Sequence, residues 1–142
     1  QDTTLAIIGA YGIIGEAVSQ ILVPQFKQSI LIGRREEKLK ELSSKVTGDF
    51  HTTLELDTKE ADVIVTATSH PTALLNSEQL KKDAIVVDVS QPPNLPPEVC
   101  STHPDILRVD GGFVDTPEGV IVPLMPQGKI FFFFLEVVMK EM

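Results

Sequence analysis

The chain has 142 residues, 42% of them hydrophobic, which is enough for one domain with a proper core and too short for two of ordinary size. The formal net charge of -8 and the pI near 4.8 argue against nucleic acid as a partner, because such binding depends on clustered Lys and Arg. A single cysteine, Cys100, excludes an internal disulfide framework and a multi-cysteine zinc site, so we expect a cytoplasmic protein.

Short apolar runs alternate with helix-like segments along the chain. This alternation predicts an α/β fold with a doubly wound, mostly parallel sheet that carries helices on both faces. The predicted strands lie at residues 4–9, 29–33, 51–54, 62–67, 84–88 and 106–109. The predicted helices lie at residues 13–23, 35–47, 76–82 and 128–141. Segment 91–99, QPPNLPPEV, contains four prolines and is predicted to run as an extended loop over the end of the sheet.

The end of the chain is strongly apolar but short. Residues 130–138 are interrupted by Glu136 and fall below the roughly 20 residues that cross a bilayer, so we expect no membrane span. No signal-peptide pattern precedes the first strand, and the chain begins with Gln1. We therefore expect residues 1–142 to be one domain excised from a larger protein. The phenylalanines at 131–134 give the last helix apolar surface on several sides, which indicates a deeply buried helix, docking on a missing substrate domain, or a homo-oligomer.

The sequence GAYGIIG lies in the first strand-to-helix turn. In a Rossmann dinucleotide site, the first glycine makes the tight turn, the second admits the diphosphate and the third lets the helix pack on the strand. The anion then lies on unpaired N–H groups at the positive end of the helix dipole. The motif predicts that the cofactor is bound by Gly9, Ala10, Tyr11, Gly12, Ile13, Ile14 and Gly15. The alternative is a turn whose glycines serve only the backbone.

The second predicted strand ends in Gly33-Arg34-Arg35. A domain that prefers NAD places an acidic residue near this position to hold the ribose 2′-hydroxyl. Arg34 and Arg35 suit a 2′-phosphate instead, and Lys38 lies one helical turn beyond Arg34. We therefore predict that this corner binds NADP rather than NAD. The alternative is a solvated helix start.

Ligands of an open parallel sheet bind at the carboxyl ends of the strands. The later strand ends carry Thr66, Ala67, Thr68 and Ser69, then Asp88, then Gly111 and Gly112, which we predict to face the nicotinamide half of the cofactor. Two alternatives stay open: residues 66–69 form an ordinary loop, and Asp88 caps a turn. His70 precedes a proline and is interpreted as a surface residue.

No catalytic constellation is visible in the sequence. His51, His103 and Cys100 are interpreted as structural residues, and we find no serine–histidine–acid arrangement and no metal-ligand spacing. Short-chain dehydrogenases share a similar glycine motif but use a catalytic Tyr with a Lys four positions later. Here Tyr11 is the only tyrosine and position 15 is glycine, so that chemistry is excluded.

The stretches ADVIVTATSHPTALLNSEQL and AIVVDVSQPPNLPPEV resemble the NADP-binding domain shared by shikimate dehydrogenases and glutamyl-tRNA reductases. The resemblance covers nearly the whole chain. Members of that superfamily usually end the second strand in Asn-Arg-Thr with a basic residue one turn later. Arg34 and Lys38 match this pattern, whereas Gly33 and Arg35 depart from it.

Within the superfamily, the glycine motif, the VDGGFV segment and the helix IFFFFLE resemble long-chain acyl-acyl-carrier-protein reductases and related amino-acid dehydrogenases. The nucleophilic cysteine of those reductases falls on Phe133 here. Without a thiol, no thioester acyl-enzyme forms at that position, so this activity is not transferred. The resemblance implies the cofactor domain of an NADP-dependent reductase or dehydrogenase that acts on a small carbonyl or acyl substrate. The alternatives are a non-catalytic NADP-sensing module and a fold that has lost the cofactor.

Overall fold

The computed structural model of the chain describes residues 3–68, 75–90 and 93–110. The strands are β1 (Thr4–Ile8), β2 (Gln28–Ile32), β3 (Phe50–Thr53), β4 (Val63–Thr66), β5 (Ile85–Asp88) and β6 (Leu107–Asp110). The helices are α1 (Ile13–Leu22), α2 (Glu36–Ser43) and α3 (Pro97–Thr102), with single 3₁₀ turns at Val23–Gln25 and Ser77–Gln79. All six predicted strands are present. The predicted helix at 128–141 lies outside the described residues.

The strands form one parallel sheet in the order β3-β2-β1-β4-β5-β6. This order is that of the doubly wound Rossmann fold, so the predicted fold class is confirmed. The strand order reverses between β1 and β4, which is where such sheets bind their ligands. The register places Ile8 beside Ile32 on one side and beside Thr66 on the other. The carboxyl ends of β1, β2 and β4 therefore meet at one edge of the sheet.

The core consists of two layers, one on each face of the sheet. Alternate residues of β1 enter different layers, because successive side chains of a strand point to opposite faces. Leu5 and Ile7 pack with Val18 and Leu22 of α1, whereas Ala6 and Ile8 belong to the other layer. The second layer is completed by apolar side chains from the segments after β4 and β5: Leu75, Leu80, Leu95, Val99 and Cys100. Burial of both faces explains why the strands read as unbroken apolar runs.

The first two helices agree with the sequence in kind, but α2 is shorter than predicted. It ends at Ser43 rather than Thr47. The Ser43 hydroxyl donates to the Leu39 carbonyl at 2.8 Å and the Ser44 hydroxyl donates to the Glu41 carbonyl at 2.6 Å. Such side-chain bonds to the backbone compete with the helical ladder and favour a helix end.

No helix in the described part of the chain is long and apolar enough to cross a bilayer.

The prediction of a helix at 76–82 is wrong, because only one 3₁₀ turn forms there. Continuation of an α-helix would need a bond from the Asp83 N–H to the Gln79 carbonyl. The Gln79 carbonyl instead accepts the Thr58 hydroxyl at 2.7 Å, and the Asp83 N–H donates to Asp105 at 2.8 Å. Both backbone groups are therefore engaged elsewhere.

The prediction that residues 91–99 are extended throughout is also wrong, because α3 begins at Pro97. Proline is favourable at the first helical position, since its missing N–H would have no helical partner there and its φ is already suitable. The four prolines of this segment predict an extended loop, although one of them, Pro97, starts a helix. α3 lies on the face of the sheet opposite α1, through Val99 and Cys100.

Candidate functional site

The glycine loop between β1 and α1 is bonded to both neighbouring strands. The N–H groups of Gly9 and Ala10 both donate to the Ile32 carbonyl at the end of β2, at 3.0 and 3.1 Å. On the other side, the Ala67 N–H donates to the Ile8 carbonyl at 2.9 Å. The loop is thereby held at the point where the strand order reverses.

The fold itself explains two of the three glycines. Gly9 has φ +79°, and a Cβ there would lie 2.7 Å from the Ala67 carbonyl oxygen. A Cβ at Gly15 would overlap the carbonyl group of Gly9. The chain therefore admits no side chain at either position.

Gly12 is different, because neither its backbone nor its neighbours require glycine. Its φ of -64° and ψ of 171° are open to any residue. A Cβ there would lie 3.4 Å from the Gly9 oxygen and 3.7 Å from the Ala67 oxygen, which are ordinary contacts. Among the described residues nothing requires a glycine at this position, whereas the close approach of a ligand to the backbone would.

Helix α1 begins at Ile13 with no side-chain hydrogen bond at its N-cap, Gly12. The first N–H groups of an α-helix have no partner within the helix, and they carry the positive end of its dipole. Glu16, in the first turn, is engaged by the Lys45 ammonium at 3.3 Å. Ile13 and Ile14 have exposed side chains that flank this helix start.

Tyr11 connects the glycine loop to the corner that follows β2. Its hydroxyl accepts a hydrogen bond from the Arg34 N–H at 3.2 Å. Its ring lies against Gly33, where a Cβ would overlap the Tyr11 ring atom Cε1 and lie 2.8 Å from Cδ1. Gly33 therefore provides the space that the Tyr11 ring fills.

The basic residues of this corner are exposed, and they differ in their partners. Within residues 3–68, 75–90 and 93–110, neither Arg34 nor Arg35 forms an ion pair through its side chain. The Lys38 ammonium lies 3.5 Å from a Glu41 carboxylate oxygen. The two arginines therefore carry charge that no described carboxylate balances, whereas the charge of Lys38 is partly compensated.

Asp88, at the end of β5, is buried and accepts four hydrogen bonds from described residues. One carboxylate oxygen accepts the Thr66 hydroxyl at 2.6 Å and the Ser90 N–H at 3.2 Å. The other accepts the N–H groups of Asn94 and Leu95 at 2.8 and 2.9 Å. The carboxylate thus binds the loop after β5 to the end of β4, an arrangement that supports the turn-capping alternative. Contact of Asp88 with a cofactor stays a prediction.

Ser90 and Asn94 complete this connection, and of the two the sequence prediction did not include Asn94. The Ser90 hydroxyl oxygen accepts the Thr68 N–H at 3.0 Å and the Asn94 side-chain amide at 2.9 Å. Both residues are buried. Small polar residues near a proline-rich segment after a strand are typical of turns, and this signal was available in the sequence.

The remaining predicted residues are placed as follows. His51 is exposed on β3, and Cys100 is partly buried against the second core layer. The His103 ring lies 2.8 Å from the Thr102 hydroxyl through Nδ1, at the end of α3. Ser69, His70, Gly111, Gly112 and Phe133 lie outside the described residues.

Comparisons with known proteins agree with this geometry. The sequence profile of "Shikimate / quinate 5-dehydrogenase" matches residues 1–111. A search of curated proteins finds no match. Shikimate dehydrogenase from Aquifex aeolicus is similar in structure, with 25% identity, a TM-score of 0.61, and coverage of 78% of this chain and 43% of that chain.

The nucleotide-binding domain of glutamyl-tRNA reductase from Thermoplasma volcanium is also similar, with a TM-score of 0.55 and 21% identity over 75% of this chain and 74% of that chain. A probable ornithine cyclodeaminase from Bordetella pertussis has a TM-score of 0.52 and 22% identity, over 62% of this chain and 30% of its own. At these identities the two likenesses show the fold alone. The finer resemblance to acyl-acyl-carrier-protein reductases stays a prediction.

The profile match spans more than half of the chain, and the sheet order, the glycine loop and the strand ends have the arrangement of a dinucleotide-binding domain. This chain belongs to the shikimate / quinate 5-dehydrogenase family and has the Rossmann fold of a nucleotide-binding domain from that family's dehydrogenases and reductases.

Proposed function

We propose that the chain is the NADP(H)-binding domain of an oxidoreductase that acts on a small carbonyl or acyl substrate. The observation that carries this proposal is the pair Arg34 and Arg35, which follow β2 after Gly33 and have no ion-pair partner among the described residues. The backbone N–H of Arg34 also donates to the Tyr11 hydroxyl in the glycine loop. An NAD-preferring domain has an acidic residue in this region. In this chain, the first carboxylates after Arg35 belong to Glu36 and Glu37, in the first turn of α2.

The diphosphate is assigned to the start of α1. The uncapped N–H groups there offer donors to an anion, and the bare Cα of Gly12 allows its close approach. Gly9, Ala10 and Tyr11 hold the loop, while Ile13 and Ile14 contribute their N–H groups. Gly15 is required by the packing of the helix on the loop rather than by the ligand.

The 2′-phosphate is assigned to Arg34 and Arg35, whose guanidinium groups form charge-assisted hydrogen bonds with phosphate oxygens. Arg35 is the N-cap residue of α2, where a positive charge opposes the helix dipole, and a bound anion would add to the compensation that Glu36 and Glu37 provide in the first turn. Lys38 adds a more distant positive charge that Glu41 partly screens. Gly33 belongs to the site because it accommodates Tyr11.

The nicotinamide half is assigned to the ends of β4 and β5, where Thr66, Ala67 and Thr68 lie. Ser69 and Gly111 belong to the same proposal by their position in the sequence and lie outside the described residues. The buried Asp88 fixes the first of these strand ends through Thr66. When bound, the nicotinamide supplies or accepts the hydride, so the chain's task is to hold one face of the ring open to substrate. Because the chain spans 43% of the Aquifex aeolicus enzyme, we assign substrate recognition to a separate domain.

Equilibrium titration of NADPH and NADH fluorescence tests the proposal. The wild-type chain should bind NADPH at least about tenfold more tightly, since charge-assisted bonds contribute about 1.5–3 kcal/mol each. Arg34→Glu should abolish this preference. Lys40→Glu makes the same charge change at an exposed position of α2 whose described ion pair is with Glu36, and it should keep the preference. Equal affinity of the wild-type chain for both cofactors would refute the assignment of NADP.

Tight binding without turnover of any aldehyde, ketone or thioester by the full-length protein would favour a redox-sensing module.

A further inference from the structure

Tyr11 occupies the junction between the two anion sites assigned above. It belongs to the glycine loop, yet its ring lies against Gly33 and its hydroxyl bonds to the first residue of the basic corner. The Ile32 carbonyl, just before Gly33, accepts two N–H groups from the same loop. The glycine loop and the corner after β2 are thus joined by backbone bonds and by one side chain.

The hydroxyl of Tyr11 has a hydrogen to donate. A phenol oxygen accepts and donates, and here it accepts the Arg34 N–H at 3.2 Å. Among the residues that the structure describes, no side chain or carbonyl accepts the hydroxyl hydrogen. Tyr11 as a whole is only partly buried. The hydroxyl therefore presents a donor at the backbone of Arg34, and the side chains of Arg34 and Arg35 have no ion-pair partner among the described residues.

A phosphate dianion is the group that suits this set of donors. Its oxygens only accept hydrogen bonds, and the hydroxyl of Tyr11 has already used its accepting side on Arg34. A ribose 2′-hydroxyl, in contrast, gains most from a carboxylate that accepts its hydrogen. None of the described carboxylates is bonded to Tyr11, Arg34 or Arg35.

We propose that Tyr11 is a specificity-determining residue, which donates its hydroxyl hydrogen to the 2′-phosphate of NADP and holds the Arg34 backbone in the position that directs the corner toward that phosphate. This inference rests on the proposed NADP site and assigns a residue that discriminates within it. The ring against Gly33 sets the position of the hydroxyl. Gly33 therefore also contributes to the cofactor preference, because any larger residue would displace the Tyr11 ring.

The first test is Tyr11→Phe, which keeps the ring in place and removes only the hydroxyl. We expect the Kd for NADP⁺ and for adenosine 2′-monophosphate to rise about tenfold, and the Kd for NAD⁺ to rise less than about twofold, since one bond to a charged group is lost. The ³¹P resonance of the bound 2′-phosphate should also shift relative to wild type. A purely structural role for Tyr11 would weaken all three ligands equally and leave this resonance unchanged.

The second test is Gly33→Ala, alone and combined with Tyr11→Phe. The added methyl group displaces the ring, so Gly33→Ala should also reduce the preference for NADP⁺, and the double variant should lose little more than the single one. Additive losses would contradict the coupling of the two residues. Thermal unfolding of each variant establishes that it is folded before binding is measured.

The outcomes separate the two proposals. If the wild-type chain does not prefer NADP⁺, the cofactor assignment itself fails. If wild type prefers NADP⁺ and Tyr11→Phe keeps the full preference, the NADP site stands and the role of Tyr11 is overturned.

Discussion

A Cβ at Gly15 would overlap the carbonyl group of Gly9, six positions earlier in the chain. The first turn of α1 therefore lies directly against the loop that precedes it, and this packing requires the glycine at position 15. Gly12 lies between these two residues and has ordinary space around it. The three glycines of one motif thus serve two different purposes, of which packing accounts for Gly9 and Gly15.

The first prediction separates these purposes. Gly12→Ala should lower the free energy of unfolding by less than about 1 kcal/mol, because its conformation and surroundings accept a methyl group, but it should abolish measurable cofactor binding. Gly15→Ala should destabilise the fold by more than about 2 kcal/mol, since the helix must move away from the loop. Urea unfolding and NADPH titration of both variants measure this. Normal NADPH affinity of Gly12→Ala would show that no ligand approaches that Cα.

The second prediction concerns the turn held by Asp88. Asp88→Asn places an amide against donors that the carboxylate now satisfies, so it should lower the free energy of unfolding by about 2–5 kcal/mol. Thr66→Val removes a single bond to the carboxylate and should cost about 1–2 kcal/mol. Urea unfolding gives both values. If Asp88→Asn is as stable as wild type but binds NADPH weakly, the carboxylate faces the cofactor instead.

The third prediction is that the free energy of unfolding depends on acid pH through Asp62, at the amino ends of β1 and β4. Burial alone would raise the pKa of Asp62, but its hydrogen bond to Lys81 at 2.7 Å, the Thr4 N–H and the charge of Lys81 lower this pKa below its ordinary value of 3.8. A lowered folded-state pKa contributes stability that is present above the unfolded-state pKa and is lost as the pH falls through the folded-state value.

Urea unfolding at a series of pH values below about 5 should therefore show a loss of stability on acidification that is smaller in Asp62→Asn. The matched control is Asp57→Asn, which removes an exposed carboxylate outside this cluster and should retain the wild-type slope. An identical slope in wild type and Asp62→Asn would show that the Asp62–Lys81 contact does not contribute.

The fourth prediction is a difference in salt dependence between the two cofactors. Arg34 and Arg35, to which the proposed function assigns the 2′-phosphate, are exposed, so salt should screen that interaction at a Debye length of about 10 Å at 0.1 M. Raising the salt from about 0.05 M to about 0.5 M should weaken the binding of NADPH several-fold more than that of NADH, as measured by fluorescence titration. Parallel salt dependences would indicate that Arg34 and Arg35 do not contact the extra phosphate.

Much of the fold was visible in the sequence, because strands buried on both faces leave unbroken apolar runs and the glycine motif fixes the first turn. The errors lie where local chemistry competes with composition. The predicted helix at 76–82 does not form because Thr58 and Asp105, which are distant in sequence, bond to its backbone. The sequence did not predict α3, because Pro97 is compatible with the first position of a helix. The bonds from Thr58 and to Asp105 leave no hydrophobic periodicity in the sequence that could predict them.

The candidate site shows a similar division. The residue types at the glycine loop and the basic corner predict an anion site from spacing and charge alone. The contact of Tyr11 with Gly33 spans 22 positions and depends on how β1 and β2 align, so no local pattern reveals it. It does explain one departure from the superfamily pattern, since an asparagine at position 33 would occupy the volume of the Tyr11 ring.

The most direct measurement is a crystal structure of the chain with NADPH. It should show the diphosphate on the N–H groups of Ile13 and Ile14, beside the bare Cα of Gly12, and the 2′-phosphate against Arg34, Arg35 and the Tyr11 hydroxyl. A cofactor with its adenosine phosphate turned away from this corner, or a diphosphate bound elsewhere on the sheet, would contradict the account.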